Sequence, residues 1–481
     1  MESAPQDADD ARSLSRLGYA QELLRTMGGF SSFALSFSII SVLTGVITTY
    51  KIALTGGGPA GLGLGWPLVS VGTVVVALAM AELASAFPTA GALYHWAALL
   101  GGPAAGWMTA AMNLVGQTAI VAAIDLGCAK ELAAIFGWTD HAIFALFVGI
   151  LASHAVVNLV AIRLVSWLND VSAVVHVVGV IVLVVLLLAL GRAQPVSYLA
   201  HTGFTTRADG SYPLGFLNAM TLGMWTMTGY DASAHVSEET HDASRSAPRG
   251  ILSAVLVSAV AGYALIAALT LAIRNLPMVA ASADPALTIL EQAIGPRGGV
   301  AAMALAIAAM WFCGLASVTS ASRTFFAFSR DGGLPGSSWI RRVSQRFRTP
   351  HVAIGIATAL PLVLVVVTRL FSGEAFDAAT SLATTALYVS YGAPILLGAI
   401  ARRRGRWKKH GPFHLGAFGV PVAGLAVLWC VFVVVAFAIP PHQAYGITVL
   451  SVAGALALLY LVFARGRFKG PNVHVEDLEA E

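Results

Sequence analysis

Near its amino terminus the chain reads Phe30-Ser-Ser-Phe-Ala-Leu-Ser-Phe-Ser-Ile-Ile-Ser-Val-Leu-Thr-Gly45, an apolar stretch whose middle is crowded with hydroxyls. A second stretch of this kind reads Thr221-Leu-Gly-Met-Trp-Thr-Met-Thr-Gly-Tyr-Asp231. Backbone polar groups cannot stay bare in lipid, so the free ends of an interrupted membrane helix must face protein or a water-lined cavity. Serine and threonine also pack helices closely, which is the simpler explanation for either stretch alone. Two such stretches at corresponding positions favour a pair of broken helices.

The composition outside these stretches is that of a membrane protein. Of 481 residues, 57% are apolar and only 11% are charged, with a mean hydropathy of +0.78. A soluble domain carries about 25% charged residues, so a cytosolic enzyme and a disordered chain are both disfavoured. The net charge of +4 does not indicate nucleic-acid binding. The three cysteines lie in apolar stretches and are expected to be small buried hydrophobes.

Apolar segments of membrane length recur along almost the whole chain. A span needs about 20 mostly apolar residues to cross the hydrocarbon. Twelve segments meet this requirement: 29–54, 66–87, 104–134, 141–162, 166–190, 214–236, 250–273, 298–328, 351–371, 376–400, 420–440 and 446–464.

The basic residues predict the orientation of these spans. Most of the 28 lysines and arginines fall in the two tails and in the loops after even-numbered spans, above all in Arg402 to Lys409. Short cytoplasmic loops carry this excess, so both termini are expected in the cytoplasm and the protein in the plasma (inner) membrane.

The two interrupted spans, the first and the sixth, are five apart. This spacing predicts two five-helix halves related by inversion, followed by two further helices. The expected organisation is a cytoplasmic tail over 1–27, a membrane domain over 28–466 and a cytoplasmic tail over 467–481. Within the membrane domain the expected units are the two halves at about 28–190 and 213–401, and helices eleven and twelve at about 420–465.

Three motifs carry a family resemblance. The first, after span two, reads Ala81-Glu-Leu-Ala-Ser-Ala-Phe-Pro-Thr-Ala-Gly-Ala-Leu-Tyr-His-Trp96. At span six, Gly229-Tyr-Asp-Ala-Ser-Ala-His235 is followed by Glu238-Glu-Thr240 and Ala247-Pro-Arg-Gly-Ile251, and Ser329-Arg-Asp-Gly-Gly-Leu-Pro335 follows span eight. With these motifs in this order, the chain resembles the amino acid–polyamine–organocation (APC) transporter superfamily along nearly its whole length. It is most like the amino acid/choline/GABA permease branch.

The resemblance implies an all-α membrane protein with 12 transmembrane helices, a LeuT-like 5+5 inverted repeat with discontinuous helices 1 and 6, and alternating access. One departure concerns the first break. Many relatives have a glycine-rich G-S-G or G-x-G sequence there, whereas Ser41-Val-Leu-Thr-Gly45 keeps one glycine.

Substrate-binding candidates come from both interrupted spans. Free N–H groups at a helix break attract anions, so the first span is expected to hold a substrate carboxylate. A carboxylate inside a span is a functional candidate by default, and it could bind an amine or carry a proton. In relatives an aromatic residue at the position of Trp225 closes over the substrate. The alternative for the first-span residues is a packing face. For Trp225 it is an aromatic that faces the core or the lipid, and for Asp231 it is a helix cap or a salt bridge. The candidates are Ser41, Thr44, Gly45, Trp225, Thr226, Thr228, Gly229, Tyr230 and Asp231.

Ion-coupling candidates lie on spans five and eight. In some proton-coupled relatives a lysine lies near the position of His176, and a histidine exchanges a proton near neutral pH. Hydroxyls on span eight suit a sodium ion. For all of these residues, hydrogen bonding between packed helices is the alternative. The candidates are His176, Ser317, Thr319 and Ser320.

Polar stripes on spans three and ten are candidates for lining a pathway. Asn113, Gln117 and Asp125 fall within a sector of roughly 120° on one helix. Thr384 and Tyr388 share a face of span ten. Interhelical hydrogen bonding is the alternative for both stripes, and the i, i+4 pair His154 and Asn158 is expected to be structural.

Charged residues near the predicted cytoplasmic ends could close an inner gate, with a solvated membrane-edge cluster as the alternative. They are Glu82, Glu238, Glu239, Arg323, Arg330 and Asp331.

Together these features predict a secondary active transporter for an amino acid or an amino-acid-derived amine. It is expected to be proton-coupled or an exchanger, with a choline- or polyamine-type cation carrier and a sodium-coupled symporter as alternatives. Its partners would be the solute, a proton or sodium ion, and the bilayer. No cofactor, metal or nucleotide motif and no catalytic triad is apparent, so an enzyme is not expected.

Overall fold

The computed structural model describes residues 5–160, 162–202, 212–371, 375–440, 442–471 and 473. The far ends of both predicted tails, and part of the 191–213 loop, therefore lie outside the described residues. Within that part of the chain the regular structure is helical. The helices are α1 Pro5–Arg16, α2 Gly29–Ile40, α3 Val42–Ala86, α4 Leu93–Gly101, α5 Pro103–Phe136, α6 Asp140–Val160, α7 Ile162–Leu186, α8 Tyr212–Thr226, α9 Ala232–His235, α10 Ala243–Leu271, α11 Leu276–Ala281, α12 Pro285–Arg330, α13 Ser337–Ile340, α14 His351–Phe371, α15 Ala375–Arg403, α16 Gly419–Ala436 and α17 Gln443–Leu459.

The first predicted interruption lies at Ser41, between α2 and α3. Ser41 has left-handed backbone angles, with φ 32° and ψ 79°. This conformation is costly for a residue with a side chain and needs support from its surroundings. Support comes from Ser41 itself, whose Oγ accepts a hydrogen bond from the Thr44 N–H at 3.3 Å and so caps α3.

The second predicted interruption follows Thr226, where α8 ends. Helical structure resumes only at Ala232, in the four-residue helix α9. Between them Gly229 has φ 85°, a conformation that glycine adopts at no steric cost. The continuation of span six ends at His235, next to its predicted end at residue 236, and a 3₁₀ turn over Ser237–Glu239 follows.

Two predicted loops are wrong in extent. Residues 55–65 form no loop, because α3 continues through them with a single non-helical residue, Gly58, at φ 62°. The interval 274–297 between predicted spans contains α11 and the start of α12. Its non-helical residue within α12 is Gly295, at φ 81°, as Gly58 is within α3. In both helices proline follows the glycine. Glycine ends one helix and proline starts the next, so the chain turns without unwinding.

Nine helical segments within the described residues are long and apolar enough to cross a membrane. One of them is the 58-residue segment Gly29–Ala86, which includes both α2 and α3. Helix α3 packs on α8 and α10, and α5 packs on α12 and α15, so these helices form the centre of the molecule. Large apolar side chains of the outer helices remain exposed, as expected of surfaces that face lipid. Examples are Val178, Ile181, Val185, Leu425, Leu428, Val431, Leu450 and Leu458.

Candidate functional site

The two interrupted helices are hydrogen-bonded to each other. The Ser36 hydroxyl of α2 lies 2.8 Å from the Tyr230 carbonyl oxygen and accepts from the Ser233 N–H at 2.9 Å. In return the Ser233 hydroxyl donates to the Ser32 carbonyl oxygen at 2.7 Å. Backbone groups released by the second break are thus partnered by side chains of the first helix.

Glycines let the two breaks pack into one another. A Cβ at Gly229 would collide with Ile39, in the last turn of α2. A Cβ at Gly45, in the first turn of α3, would collide with Thr226, the last residue of α8. Ile39 of the first half therefore packs against Gly229 of the second half, and Thr226 of the second half packs against Gly45 of the first. Both contacts are possible because glycine has no side chain.

Ser41, Thr44 and His176 form one buried hydrogen-bonded group. The Ser41 Oγ lies 2.7 Å from His176 Nε2, and the Thr44 hydroxyl also bonds to Ser41. His176 Nδ1 lies 2.8 Å from the Ser172 carbonyl oxygen, which can only accept. Neutral His176 therefore carries its proton on Nδ1, and Nε2 accepts from the Ser41 hydroxyl. The structure thus brings a predicted ion-coupling residue against the first break.

Gly45 does not lie in an unwound loop, contrary to the expectation that it belongs to a carboxylate-binding loop. Its N–H bonds to the Ser41 carbonyl oxygen at 3.0 Å, as in the first turn of a helix. The first N–H groups of α3, at Val42 and Leu43, are those that a helix leaves without intrahelical partners. An anion at this break would meet these groups and not Gly45.

Trp225 lines a cavity of about 310 Å³ between α3, α8, α15 and the start of α17. The cavity wall is rich in hydroxyls and contains one carboxylate, Asp377. Its lining residues are Thr49, Ile52, Thr55, Asn218, Thr221, Trp225, Asp377, Thr380, Ser381, Phe437, His442 and Tyr445. Sequence reasoning missed Thr49 and Asp377, although Thr49 lies one helical turn beyond Gly45 and continues the hydroxyl face of the first span.

The other candidates of span six are engaged locally. The Thr226 hydroxyl donates to the Leu222 carbonyl oxygen at 2.7 Å, and the Thr228 hydroxyl donates to the Trp225 carbonyl oxygen at 2.8 Å. Tyr230 is buried and its ring packs 5.1 Å from that of Tyr391, while its hydroxyl has no hydrogen-bond partner. Of these residues, only Tyr230 has an uncommitted polar group.

Asp231 lies at the centre of a buried network that joins three helices. Its Oδ1 accepts from the Tyr391 hydroxyl at 2.8 Å, and its Oδ2 lies 3.1 Å from His235 Nε2. The Asn113 amide donates to Oδ2 at 3.4 Å. Tyr391 and His235 were missed as site residues. The i, i+4 spacing of Asp231 and His235 is the signal that could have identified the histidine.

The three hydroxyls of α12 do not converge on the first break. Ser317 bonds back to the Cys313 carbonyl oxygen at 2.8 Å, and Thr319 donates to the Asn158 side chain of α6 at 2.8 Å. Ser320 instead accepts from Gln117 of α5 at 3.2 Å. Cys313 of α12 does reach α2, and its Sγ lies 3.2 Å from the Ile39 carbonyl oxygen. The three cysteines are free and buried, as expected.

The polar stripe of α5 faces two different regions. Asn113 and Gln117 point to the centre, towards Asp231 and Ser320. Asp125 instead pairs with His154 of α6, at 3.2 Å between Oδ2 and Nδ1. His154 therefore contacts a carboxylate of another helix, and its spacing to Asn158 did not reveal this. On α15, Thr384 bonds back to Thr380, and the Tyr388 hydroxyl lies 3.5 Å from Thr73 of α3.

Bidentate ion pairs close the end of the molecule opposite the cavity. Arg323 binds Glu239 at 2.6 and 3.1 Å with both side chains buried. Arg330 binds Glu238 at 2.8 and 2.9 Å. The remaining pair joins Glu82 to Arg402 at 2.8 and 2.9 Å. Five of the six charged residues expected near the cytoplasmic ends thus lie in buried pairs and not in a solvated cluster.

The amino-terminal segment covers this closed end. Met27 forms a short parallel β-bridge with Thr240, and the Tyr19 ring lies 3.9 Å from the Arg330 guanidinium. The hydroxyls of Tyr19 and Tyr94 donate to Asp331 at 2.7 and 2.6 Å. Burial raises the pKa of the Asp331 carboxyl above its ordinary value, although these two hydroxyls oppose the shift.

The apolar helices, with a polar centre buried among them, define a multi-pass membrane protein. A family model described as "Amino acid permease" matches residues 27–463. The chain belongs to this family, within the APC superfamily, and is therefore a transporter and not an enzyme.

Named relatives match over nearly the whole chain. The sequence is 37% identical to amino-acid permease BAT1 of Arabidopsis thaliana, over 95% of each chain. It is 35% identical to the BAT1 homolog of rice, over 98% of this chain and 96% of the relative. It is 28% identical to the GABA-specific permease of Saccharomyces cerevisiae, over 98% of this chain and 88% of the relative.

Proposed function

We propose that this protein is a secondary active transporter that moves an amino acid or an amino-acid-derived amine across the plasma membrane by alternating access. Transport is coupled to protons or proceeds by exchange. Both termini lie in the cytoplasm, in keeping with the distribution of lysine and arginine. The names of its relatives support amino acids and GABA as the first compounds to test.

The proposed architecture has twelve spans in a LeuT-like 5+5 arrangement. Division of the segment Gly29–Ala86 at Gly58 turns the nine apolar segments into ten. Helix α5 and the interrupted segment from α8 to α9 supply the remaining two. The interruptions then fall on spans one and six, which is the spacing of an inverted repeat.

The observation that carries the proposal is the position of the two breaks. They contact each other through Ser36 and Ser233, and Trp225 on the same segment lines the cavity. The opposite end is closed by the pair of Arg323 and Glu239. Broken helices that meet beside a cavity, with the other end of the molecule closed, support alternating access about a site near the middle of the membrane.

The chemistry of the site suits a zwitterion. The start of α3 at Ser41 offers N–H groups and a positive helix end to a carboxylate. The Trp225 ring of the cavity suits an ammonium group. A carrier for cations alone would need a free carboxylate at the centre, but Asp231 is held by Tyr391 and His235.

The experiment that tests this function is uptake into proteoliposomes under proton and sodium gradients imposed separately. We expect amino acids or GABA to accumulate with an inward proton gradient, or by exchange with internal substrate. Choline and polyamines are not expected to accumulate. Accumulation driven by sodium alone would favour a sodium symporter and contradict the proposed coupling.

Trp225→Ala tests the position of the site. The substrate dissociation constant should rise, because an aromatic contact in the cavity is lost, while thermal stability changes little. Trp138→Ala is the matched control, since Trp138 is half exposed and does not line this cavity. If Trp225→Ala leaves the affinity for substrate unchanged, the site has been misplaced.

A further inference from the structure

Asp125 of α5 and His154 of α6 form a buried pair that does not line the Trp225 cavity. Both side chains have no exposed surface, and Oδ2 of the aspartate lies 3.2 Å from Nδ1 of the histidine. The other aspartate oxygen, Oδ1, and the other histidine nitrogen, Nε2, have no hydrogen-bond partner. The pair therefore keeps an open acceptor and an open ring nitrogen inside the membrane domain.

Space for this pair is provided by Gly314 of α12. A Cβ at position 314 would collide with Asp125 Oδ1 and would lie 2.5 Å from His154 Cε1. The Trp311 ring packs 5.1 Å from His154 on the same side. Three helices thus surround a small site in which two titratable groups meet and a side chain of α12 is absent.

The site lies next to the first helix break. Cys313, the neighbour of Gly314, contacts the Ile39 carbonyl oxygen in the last turn of α2. The titratable groups that face Asp125 are His154 from α6, Cys313 from α12 and Cys128 from α5 itself. Its one ion-pair partner in the described part of the chain is His154. A movement of α2 against α12 therefore acts directly on the surroundings of the pair.

The pair can hold one exchangeable proton between the Asp125 carboxylate and the His154 imidazole. With this proton the pair is neutral overall, and without it the pair carries a full negative charge with one carboxylate oxygen unpartnered. Such a charge is costly in a dry interior. Loss of the proton therefore requires water to reach the pair in another conformation.

We propose that Asp125 and His154 form the proton-binding site that couples transport to the proton gradient. The proposal rests on the proposed function, because it assigns the coupling proton of that transporter. It places the coupling proton on α5 and α6, whereas the sequence points to His176 on α7. The proton binds to the pair from one side of the membrane and leaves to the other, with no other bond made or broken.

Two transport modes separate the coupling site from the substrate site. In proteoliposomes, Asp125→Asn should lose accumulation driven by a proton gradient, down to the level without a gradient. Exchange of external for internal substrate should persist and no longer change with pH. Asp170→Asn is the matched control, a half-buried carboxylate of α7 that bonds to Ser31. It should keep both modes.

A spectroscopic measurement tests proton binding without transport. Infrared difference spectra of the folded wild-type protein between acid and alkaline pH should contain bands of the Asp125 carboxyl or the His154 imidazole, because the pair takes up a proton. Asp125→Asn should remove the contribution of this pair, and Asp125→Glu should shift it. If Asp125→Asn does not fold, the Asp125→Glu shift and the loss of coupling in His154→Gln take its place.

The outcomes are distinguishable. If wild-type protein neither accumulates nor exchanges any substrate of the panel, the proposed function fails, and the infrared difference spectrum still reports whether the pair takes up a proton. If wild type is proton-driven and Asp125→Asn is too, only the assignment of the coupling site is overturned. Loss of both modes together with thermal stability would make the pair structural, and a wild-type difference spectrum that Asp125→Asn leaves unchanged would equally overturn the proposal.

Discussion

Gly45→Ala should disturb the contact between the two halves of the site. Gly45 lies in the first turn of α3, against the last residue of α8. An alanine Cβ at this position would lie 2.5 Å from Cγ2 and 2.6 Å from Cβ of Thr226, and closer still to its Oγ1. Such separations are well inside ordinary van der Waals contact, so α3 and α8 must move apart.

The size of the effect follows from the cost of overpacking. An extra methyl group in a well-packed site costs about 1–3 kcal/mol. If the closed packing of the two breaks is needed to bind substrate, this cost lowers the affinity by about 5- to 150-fold. Thermal unfolding in detergent and a substrate-binding isotherm measure the two consequences separately.

A second substitution provides the rescue. Thr226→Ala leaves the Cβ atom that lies 2.6 Å away and should rescue only in part. Thr226→Gly removes all three colliding atoms and should restore binding, apart from about 1 kcal/mol for glycine in a helix. Gly149→Ala is the control, because its new Cβ would meet nothing within 4 Å. Wild-type binding and stability in Gly45→Ala would refute the argument that the halves must approach this closely.

Three further predictions concern the closed end and the first break. Glu239→Gln should cost about 3–5 kcal/mol of stability in thermal unfolding, because it leaves Arg323 buried without its partner. An effect below about 1 kcal/mol would mean that the pair is solvated. Because burial raises the pKa of Asp331, closure is favoured by protonation and weakens as pH rises from about 3.9 through the raised value. Maleimide labelling of Met27→Cys, divided at each pH by the rate for a free thiol to remove the effect of thiolate formation, should therefore be faster at higher pH, and Asp331→Asn should abolish this remaining dependence; equal normalised rates at all pH values would contradict it. Ser41→Ala should cost about 1 kcal/mol in thermal unfolding through loss of the α3 cap, and no loss would show that the cap is dispensable.

The sequence predicted the helical breaks well because the cause is local. A hydroxyl that can cap a helix stands at Ser41, and a glycine stands at Gly229, so both positions carry their own signal. The kinks at Gly58 and Gly295 have a local signal too, the glycine followed by proline. Hydropathy alone places both kinks between predicted spans, because it registers a gap in apolar character and not this dipeptide.

Side-chain partners were harder to predict because they depend on how helices rotate against each other. Asp125 and Asn113 fall in one sector of α5, yet Asp125 binds His154 and Asn113 reaches Asp231. A sector of 120° is wide enough to contact two neighbouring helices. The spacing of residues along one helix cannot choose between these neighbours.

The sequence alone determined that the chain is a multi-pass membrane protein of a transporter family, and that two of its helices are interrupted. Apolar length, hydroxyl placement and short motifs are properties of single segments. The bilayer imposes the same physical requirements on every segment that crosses it. Only the tertiary structure decided that Gly45 accommodates Thr226, that Asp231 is held by Tyr391, and that His154 faces Asp125. These contacts join residues far apart in the chain, because they arise when complementary helix faces pack and bury polar groups that must then find partners.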